Sequence, residues 1–173
     1  MRAGWVLIAL ALLTGCGSEA PRIMGGEGDA GSKLDEQAVT AGILPDHADV
    51  KFAGRYEVRS DLGTDKFCAV SESGGNFRIG MLAVFGPDSK CEGRGSASVR
   101  DEKILIALDG EGDCTFEADF DGNELRFPGQ VPRGCAGYCS PRASMSGTSY
   151  FLVEQGDDKA RKTLGRDIER LCD

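Results

Sequence analysis

The chain has 173 residues, with 20 basic against 28 acidic side chains and a formal net charge of −8. That balance excludes the basic footprint of a nucleic-acid-binding domain. The length suits a single domain with a real core.

The chain opens MRAGWVLIALALLTGC. Arg2 gives a positive start, and Trp5 to Leu13 is an uncharged apolar run. The run falls well short of the roughly 20 apolar residues of a membrane-spanning helix. It suits the apolar region of an export signal over residues 1–15. Leu13-Thr14-Gly15-Cys16 resembles the lipobox of bacterial lipoproteins. The resemblance implies cleavage before Cys16, a diacylglycerol on its sulfur and an acylated amine. Several acyl chains matter, because one alone binds a membrane only marginally. Residue 17 is Gly rather than the Asp of the inner-membrane retention signal. The expected location is therefore the inner leaflet of the outer membrane, facing the periplasm. Removal of the signal takes Arg2 with it and lowers the charge to −9. An acidic balance suits solubility or attraction to a basic partner.

Residues 16–49 read as a lipid-anchored tether. Met24-Gly25-Gly26-Glu27-Gly28-Asp29-Ala30-Gly31 has the composition of a flexible spacer. Ser32 and Asp35 predict a short capped helix through Ala41, ended by Gly42 and Pro45. From residue 50 the texture changes to short β-branched and aromatic runs between turn residues. The predicted strands are Gly54 to Ser60, Lys66 to Ser71, Phe77 to Phe85, Ser96 to Arg100 and Lys103 to Leu108. Three more follow: Cys114 to Phe120, Glu124 to Phe127 and Thr148 to Glu154. Cys114-Thr115-Phe116-Glu117-Ala118-Asp119-Phe120 alternates most cleanly, with Cys, Phe, Ala and Phe on one face. Asp121-Gly122 after it is a hairpin signal. Gly86-Pro87-Asp88, Asp101-Glu102 and Asp109-Gly110 are further turns. The fold expected over residues 50–173 is mainly β, a small antiparallel barrel or sandwich of about eight strands. A C-terminal helix over 157–172 is predicted from Ala160, Leu164, Ile168 and Leu171 on one face.

Of seven cysteines, the lipobox leaves six: Cys68, Cys91, Cys114, Cys135, Cys139 and Cys172. An even set in an exported domain reads as a disulfide framework, whose connectivity the sequence leaves open. A sequential order is the expectation: Cys68–Cys91, Cys114–Cys135 and Cys139–Cys172. Zinc at Cys135 and Cys139 has suitable spacing, but an oxidising compartment argues against it.

Catalytic machinery is not legible. The single histidine, His47, stands where the tether meets the domain, with no nucleophile framed against it. Ser144 and Ser146 lack the glycine two places upstream that a nucleophile elbow requires, and read as loop residues. Asp109-Gly110-Glu111-Gly112-Asp113 and Asp119-Phe120-Asp121-Gly122-Asn123-Glu124 are oxygen-rich enough to suggest calcium. Polar hairpin turns, which want Asp, Asn and Gly for backbone reasons, are the reading taken for them. No metal or other cofactor is expected.

Residues 120–160 contain a DG turn, a polar–aliphatic strand, Pro, and then Ala143-Ser144-Met145-Ser146-Gly147-Thr148-Ser149-Tyr150. This order resembles the membrane-bound inhibitor of C-type lysozyme. That family comprises small periplasmic lipoproteins folded as eight-stranded antiparallel barrels. The resemblance places Ser146, Gly147 and Tyr150 on a partner-binding loop. It departs from the family at Pro132 to Pro141, which has no counterpart, and lacks an aromatic before the second binding loop. The function expected is thus that of a non-enzymatic envelope lipoprotein, held to the membrane through Cys16 and binding an envelope partner. The alternative is inhibition of a cell-wall hydrolase through the loop around Ser146.

Overall fold

The computed structural model describes residues 51–100 and 103–173, together with residues 34, 37 and 41. The expected signal segment, Cys16, the Gly-rich stretch, His47 and the Asp101-Glu102 turn lie outside the described residues.

Eight strands follow one another: β1 (Gly54–Ser60), β2 (Gly63–Ser71), β3 (Asn76–Gly86), β4 (Ser89–Arg100), β5 (Lys103–Leu108), β6 (Thr115–Phe120), β7 (Glu124–Arg126) and β8 (Ser149–Gln155). Each pairs antiparallel with the next, and β8 returns to pair with β1, so the sheet closes into a barrel. Closure leaves no unpaired sheet edge. A bulge between Arg55 and Tyr56 adjusts the closing register.

Alternation drives the wall. Phe116, Ala118 and Phe120 of β6 are buried, whereas Thr115, Glu117 and Asp119 are exposed. Ile104, Ile106 and Leu108 of β5 point inward in the same rhythm. β4 begins at Ser89, seven residues before the predicted start. Its early inward positions are Cys91 and Gly93, which carry no bulky apolar signal. A Cβ on Gly93 would come within 3.0 Å of the Tyr138 ring, so the missing side chain makes room for that ring.

The interior is filled by aromatic rings. Phe52, Tyr56, Phe67, Phe116, Phe120, Phe127 and Tyr150 are all buried and stack at tilted or edge-on angles, the arrangement that the ring quadrupole favours. The Tyr56 hydroxyl donates to the Phe52 carbonyl at 2.7 Å. At the β1 entrance, Phe52 closes the barrel with Phe77 and Phe120 edge-on at 5.1 and 5.2 Å.

A second, smaller cluster lies outside the barrel. Cys68 and Val70 of β2 and Leu82 and Val84 of β3 face outward and are covered by Ala160, Leu171 and Cys172. The predicted helix over 157–172 is corrected here: only α1 (Asp157–Ala160) is helical. Past it the chain unwinds because its N–H groups find a better acceptor than a helix offers. The Glu92 carboxylate accepts the N–H groups of Arg166 (2.7 Å), Asp167 (2.9 Å) and Ile168 (3.3 Å). Leu171 N–H donates to the Thr163 carbonyl, and Lys66 Nζ donates to the Leu164 carbonyl. The tail passes so close over Gly80 that a Cβ there would lie 2.3 Å from the Leu171 carbonyl oxygen.

The six described cysteines all pair, as Cys68–Cys172, Cys91–Cys139 and Cys114–Cys135. The expected Cys114–Cys135 bridge is present. The other two sequential pairs are corrected, because the barrel brings β2 beside the tail and β4 beside the β7–β8 connection. The pairing also excludes Cys135 and Cys139 as a zinc pair.

Candidate functional site

The connection between β7 and β8 is the longest irregular segment among the described residues, running through residues 127–148. It caps the barrel at the end opposite Phe52. Its ends are cross-linked: Phe127 N–H donates to the Thr148 carbonyl and Gly147 N–H to the Pro128 carbonyl, both at 2.8 Å. Arg133–Tyr138 winds into a 3-10 helix, from which Cys135 bridges to Cys114 and, just beyond, Cys139 to Cys91. Gly134 lies against the backbone of the β5–β6 loop, where a Cβ would meet the Asp113 carbonyl oxygen at 2.2 Å. Met145 is fully buried and plugs the barrel mouth. Ser140 and Lys90 exchange hydrogen bonds, N–H to carbonyl at 2.8 Å and N–H to Oγ at 3.1 Å. The segment is irregular in conformation yet anchored by two disulfides and one buried side chain.

Between these anchors the segment presents polar groups to solvent. Arg142 adopts a φ of 70° and is the single non-glycine residue with positive φ among the described residues. That conformation costs an L residue on the order of 1–2 kcal/mol, so the surrounding bonds must impose it. Residues 131–136 and 143–146 enclose a shallow niche of about 160 Å³, lined by Arg133, Ser144 and Ser146 above Cys135, Cys139 and Met145. The Ser144 and Ser146 hydroxyls are 3.0 Å apart and hydrogen bonded. Ser146 N–H donates to Ser144 Oγ at 3.1 Å, and Val131 N–H donates to Ser146 Oγ at 3.3 Å.

The three residues assigned to a binding loop by resemblance separate here. Ser146 and Gly147 stand on the capping segment, Ser146 half-buried and Gly147 exposed. Tyr150 is fully buried in the aromatic core. Burial pushes its phenol above the ordinary range, so its role is packing. Sequence reasoning missed Arg133 and Arg142. A signal was available: residues 127–148 hold two arginines and no acidic residue, within an acidic chain.

The Asp121 turn serves the backbone. Asp121 Oδ1 accepts from Asn123 N–H at 2.9 Å and Glu124 N–H at 2.7 Å, the turn bonding that Asp supplies at such positions. The Glu124 amide, helped by the Asn123 amide, outweighs burial and holds the Asp121 carboxyl below its ordinary range. Among the described residues no group of three His, Cys, Asp or Glu side chains is placed to hold a metal ion, and no helix is long and apolar enough to cross a membrane. A larger cavity of about 460 Å³ lies at the opposite end, beside Phe52, Phe77 and Asp157. Asp157 is already engaged there by Ser71 N–H at 2.9 Å.

The fold defines a small, closed, disulfide-braced antiparallel barrel with a capped mouth. No protein-family model, curated protein or solved structure matches the chain. The resemblance to the lysozyme-inhibitor family therefore rests on its short motif.

Proposed function

We propose that this protein is a non-enzymatic, lipid-anchored binding module of the cell envelope, and that the β7–β8 connection is its contact surface. One observation carries the reading. A solvent-facing polar segment is clamped by two disulfides and a buried Met145 onto a barrel packed solid with aromatic rings. A segment fixed in this way loses little conformational freedom on binding, which favours affinity. The lipobox motif at Cys16 and the pairing of all six described cysteines both suit an exported protein. The test places a photo-crosslinking residue at exposed Gln130, on the cap, and separately at Val99, at the opposite end of the wall. A discrete envelope protein captured from Gln130 but not from Val99 supports the reading. Equal capture from both positions, or none, overturns it. Labelled palmitate incorporated into the wild type but not into Cys16→Ser tests the anchor.

A second reading is inhibition of a cell-wall hydrolase, and the position of Ser146 and Gly147 on the clamped segment favours it. It expects the oxidised protein to inhibit C-type lysozyme, with Ser146→Ala weakening the effect. Absence of inhibition at micromolar protein counts against it.

A further inference from the structure

We propose that Cys91–Cys139 is a thiol–disulfide exchange site, opened at Cys139 by a dithiol reductant while the other two bridges stay closed, and that its opening unfastens the second half of the cap. Which bridge opens is independent of the reading of the cap as a contact surface; the consequence for binding rests on that reading. Access separates the three bridges. Cys68 and Cys172 are both 0% exposed beneath the tail, and Cys114 and Cys135 are each 1% exposed. Cys91 is also 0% exposed and belongs to the barrel core. Of the six described cysteines, Cys139 alone is only partly buried. It borders two surface depressions: the niche beside Arg133 and Ser146, and a second of about 360 Å³ beside Lys90, Glu92 and Asp167. Exchange requires a thiolate to reach a sulfur, so its rate follows access.

Charge chooses the side of approach. A thiolate is an anion, and thiol chemistry is favoured where the surroundings are positive. In the second depression, Lys90 is already paired with both Glu92 and Asp167. In the niche, Arg133 is exposed and no acidic side chain lines the walls. Cys135 borders this niche too, but at 1% exposure it offers little to an incoming sulfur. The dithiol thiolate therefore attacks Cys139 Sγ from the Arg133 side. The Cys139–Cys91 bond breaks, and its electron pair leaves on Cys91 Sγ, which takes a proton. The second thiol of the reductant then attacks its own sulfur in the mixed disulfide and releases Cys139 as a thiol. The dithiol is oxidised to its disulfide, the bridge is reduced to two thiols, and two protons pass to the two cysteines.

The consequence is local. Cys91 and Cys139 face each other as an isolated antiparallel bridge. Next to it, Ser140 N–H donates to the Lys90 carbonyl and Lys90 N–H to Ser140 Oγ. Once the sulfurs part, the chain between Cys135, still bonded to Cys114, and the buried Met145 keeps these two bonds and the Tyr138 hydroxyl on the Leu108 carbonyl at 3.3 Å. The barrel closure and the tail use none of these groups.

The test uses the full exported protein, oxidised and held in nonionic detergent, treated with graded dithiothreitol. Free thiols are alkylated at intervals and located by peptide mass. Cys91 and Cys139 should be labelled together, about 10-fold sooner than any other described cysteine. Glutathione, a monothiol, should leave its adduct on Cys139 and a free thiol at Cys91. Arg133→Gln should slow opening by about 3-fold. In the opened protein, amide exchange should quicken about 10-fold or more at Lys90, Ser140 and Ala143, with the β2–β3 ladder and Leu171 unchanged. Cys91→Ala with Cys139→Ala should reproduce that pattern; if this variant fails to fold, labelling of the wild type still decides. Earlier labelling of either other bridge, labelling of all six together, or none before the barrel unfolds overturns the proposal. A glutathione adduct on Cys91 overturns the direction of attack, and opening unchanged by Arg133→Gln overturns the side of approach. With the crosslinking residue at Gln130, capture lost on opening supports the coupling to binding, and capture kept by the opened protein overturns it. Selective opening with no capture in either state overturns the contact surface and leaves the exchange site standing.

Discussion

The barrel interior and the cluster beneath the C-terminal tail are both apolar, yet they are held by different forces. Inside, seven buried aromatic rings fill a closed wall, and burial of large surfaces does most of the stabilising. Outside, the residues are small: Cys68, Val70, Leu82 and Val84 beneath Ala160, Leu171 and Cys172. That area alone is a weak grip on a tail without a regular helix. Directed bonds supply the rest. Glu92, with a side chain only 4% exposed, accepts three backbone N–H groups, and Lys90 bridges it to Asp167 at 2.6 Å. Arg166 Nη1 donates to the Gly86 and Pro87 carbonyls, both at 3.0 Å. The comparison teaches that a core built by volume resists single changes through its mass, whereas a docked segment depends on a few named atoms.

Four experiments would break or sharpen that comparison. The largest effect is expected from Cys68→Ala with Cys172→Ala. The bridge spans 104 residues, and the loop-entropy model assigns such a closure about 4.7 kcal/mol. Hydrogen exchange should show protection lost first at Thr163, Gly165 and Leu171, with the β2–β3 ladder retained. Simultaneous loss would mean that the tail and barrel are one unit. Next, Phe67→Ala should cost about 3–5 kcal/mol in urea unfolding. It should lower wall and tail protection together, because Phe67 meets Phe52, Tyr56, Phe127 and Tyr150 at the centre.

A smaller and local effect is expected from Glu92→Gln. Loss of the charged acceptor should cost about 1–3 kcal/mol, read as faster exchange at Arg166, Asp167 and Ile168 with the β5–β6 ladder unchanged. Uniform acceleration across the wall would contradict the local role. The smallest effect is a pH dependence of the same latch. Burial acts to raise the Glu92 pKa, but hydrogen bonds from Lys90 and from the amides of Asp167, Arg166 and Ile168 outweigh it, leaving a carboxyl below its ordinary range. A lowered folded value means the stabilisation is present above the unfolded value of about 4.3 and is lost as pH falls through the folded one. Lys90 moves the opposite way. Burial lowers its pKa, but the bonds and charges of Asp167 and Glu92 together outweigh that and raise it. Its contribution is full below an unfolded value of about 10.4 and is lost as pH rises through the raised one. Protection of the tail amides, taken relative to their intrinsic exchange rate at each pH, should therefore be highest between these limits, and Glu92→Gln should flatten the acid side.

Most of the wall was legible because alternation is a local property. β1 and β5 match their predicted bounds, and the Asp121-Gly122 hairpin joins β6 to β7 as expected. The start of β4 was not legible, since Cys91 and Gly93 face inward without bulk and are explained only by Tyr138 arriving from elsewhere. The helix over 157–172 failed for a related reason. Ala160 and Leu171 are buried as its pattern required, but Leu164 is 52% exposed and Thr163 is buried at 2%. The apolar spacing was that of a helix, while the hydrogen-bond partner that unwound it lay 74 residues away on β4. The candidate site divided in the same way. Ser146 and Gly147 were found by local motif. Tyr150 belonged to the core, and the cap around Arg133 and Arg142 took its shape only once the disulfides held its segment at the barrel mouth.

By itself the sequence determined an antiparallel β-domain with paired cysteines and most of its strand boundaries, because side-chain alternation and turn chemistry act between near neighbours. Barrel closure, two of the three disulfide partners, the path of the tail and the niche on the cap were decided by tertiary structure. Each depends on groups far apart in the chain, and the energy that selects among their pairings exists only when the wall has closed and brought them within bonding distance.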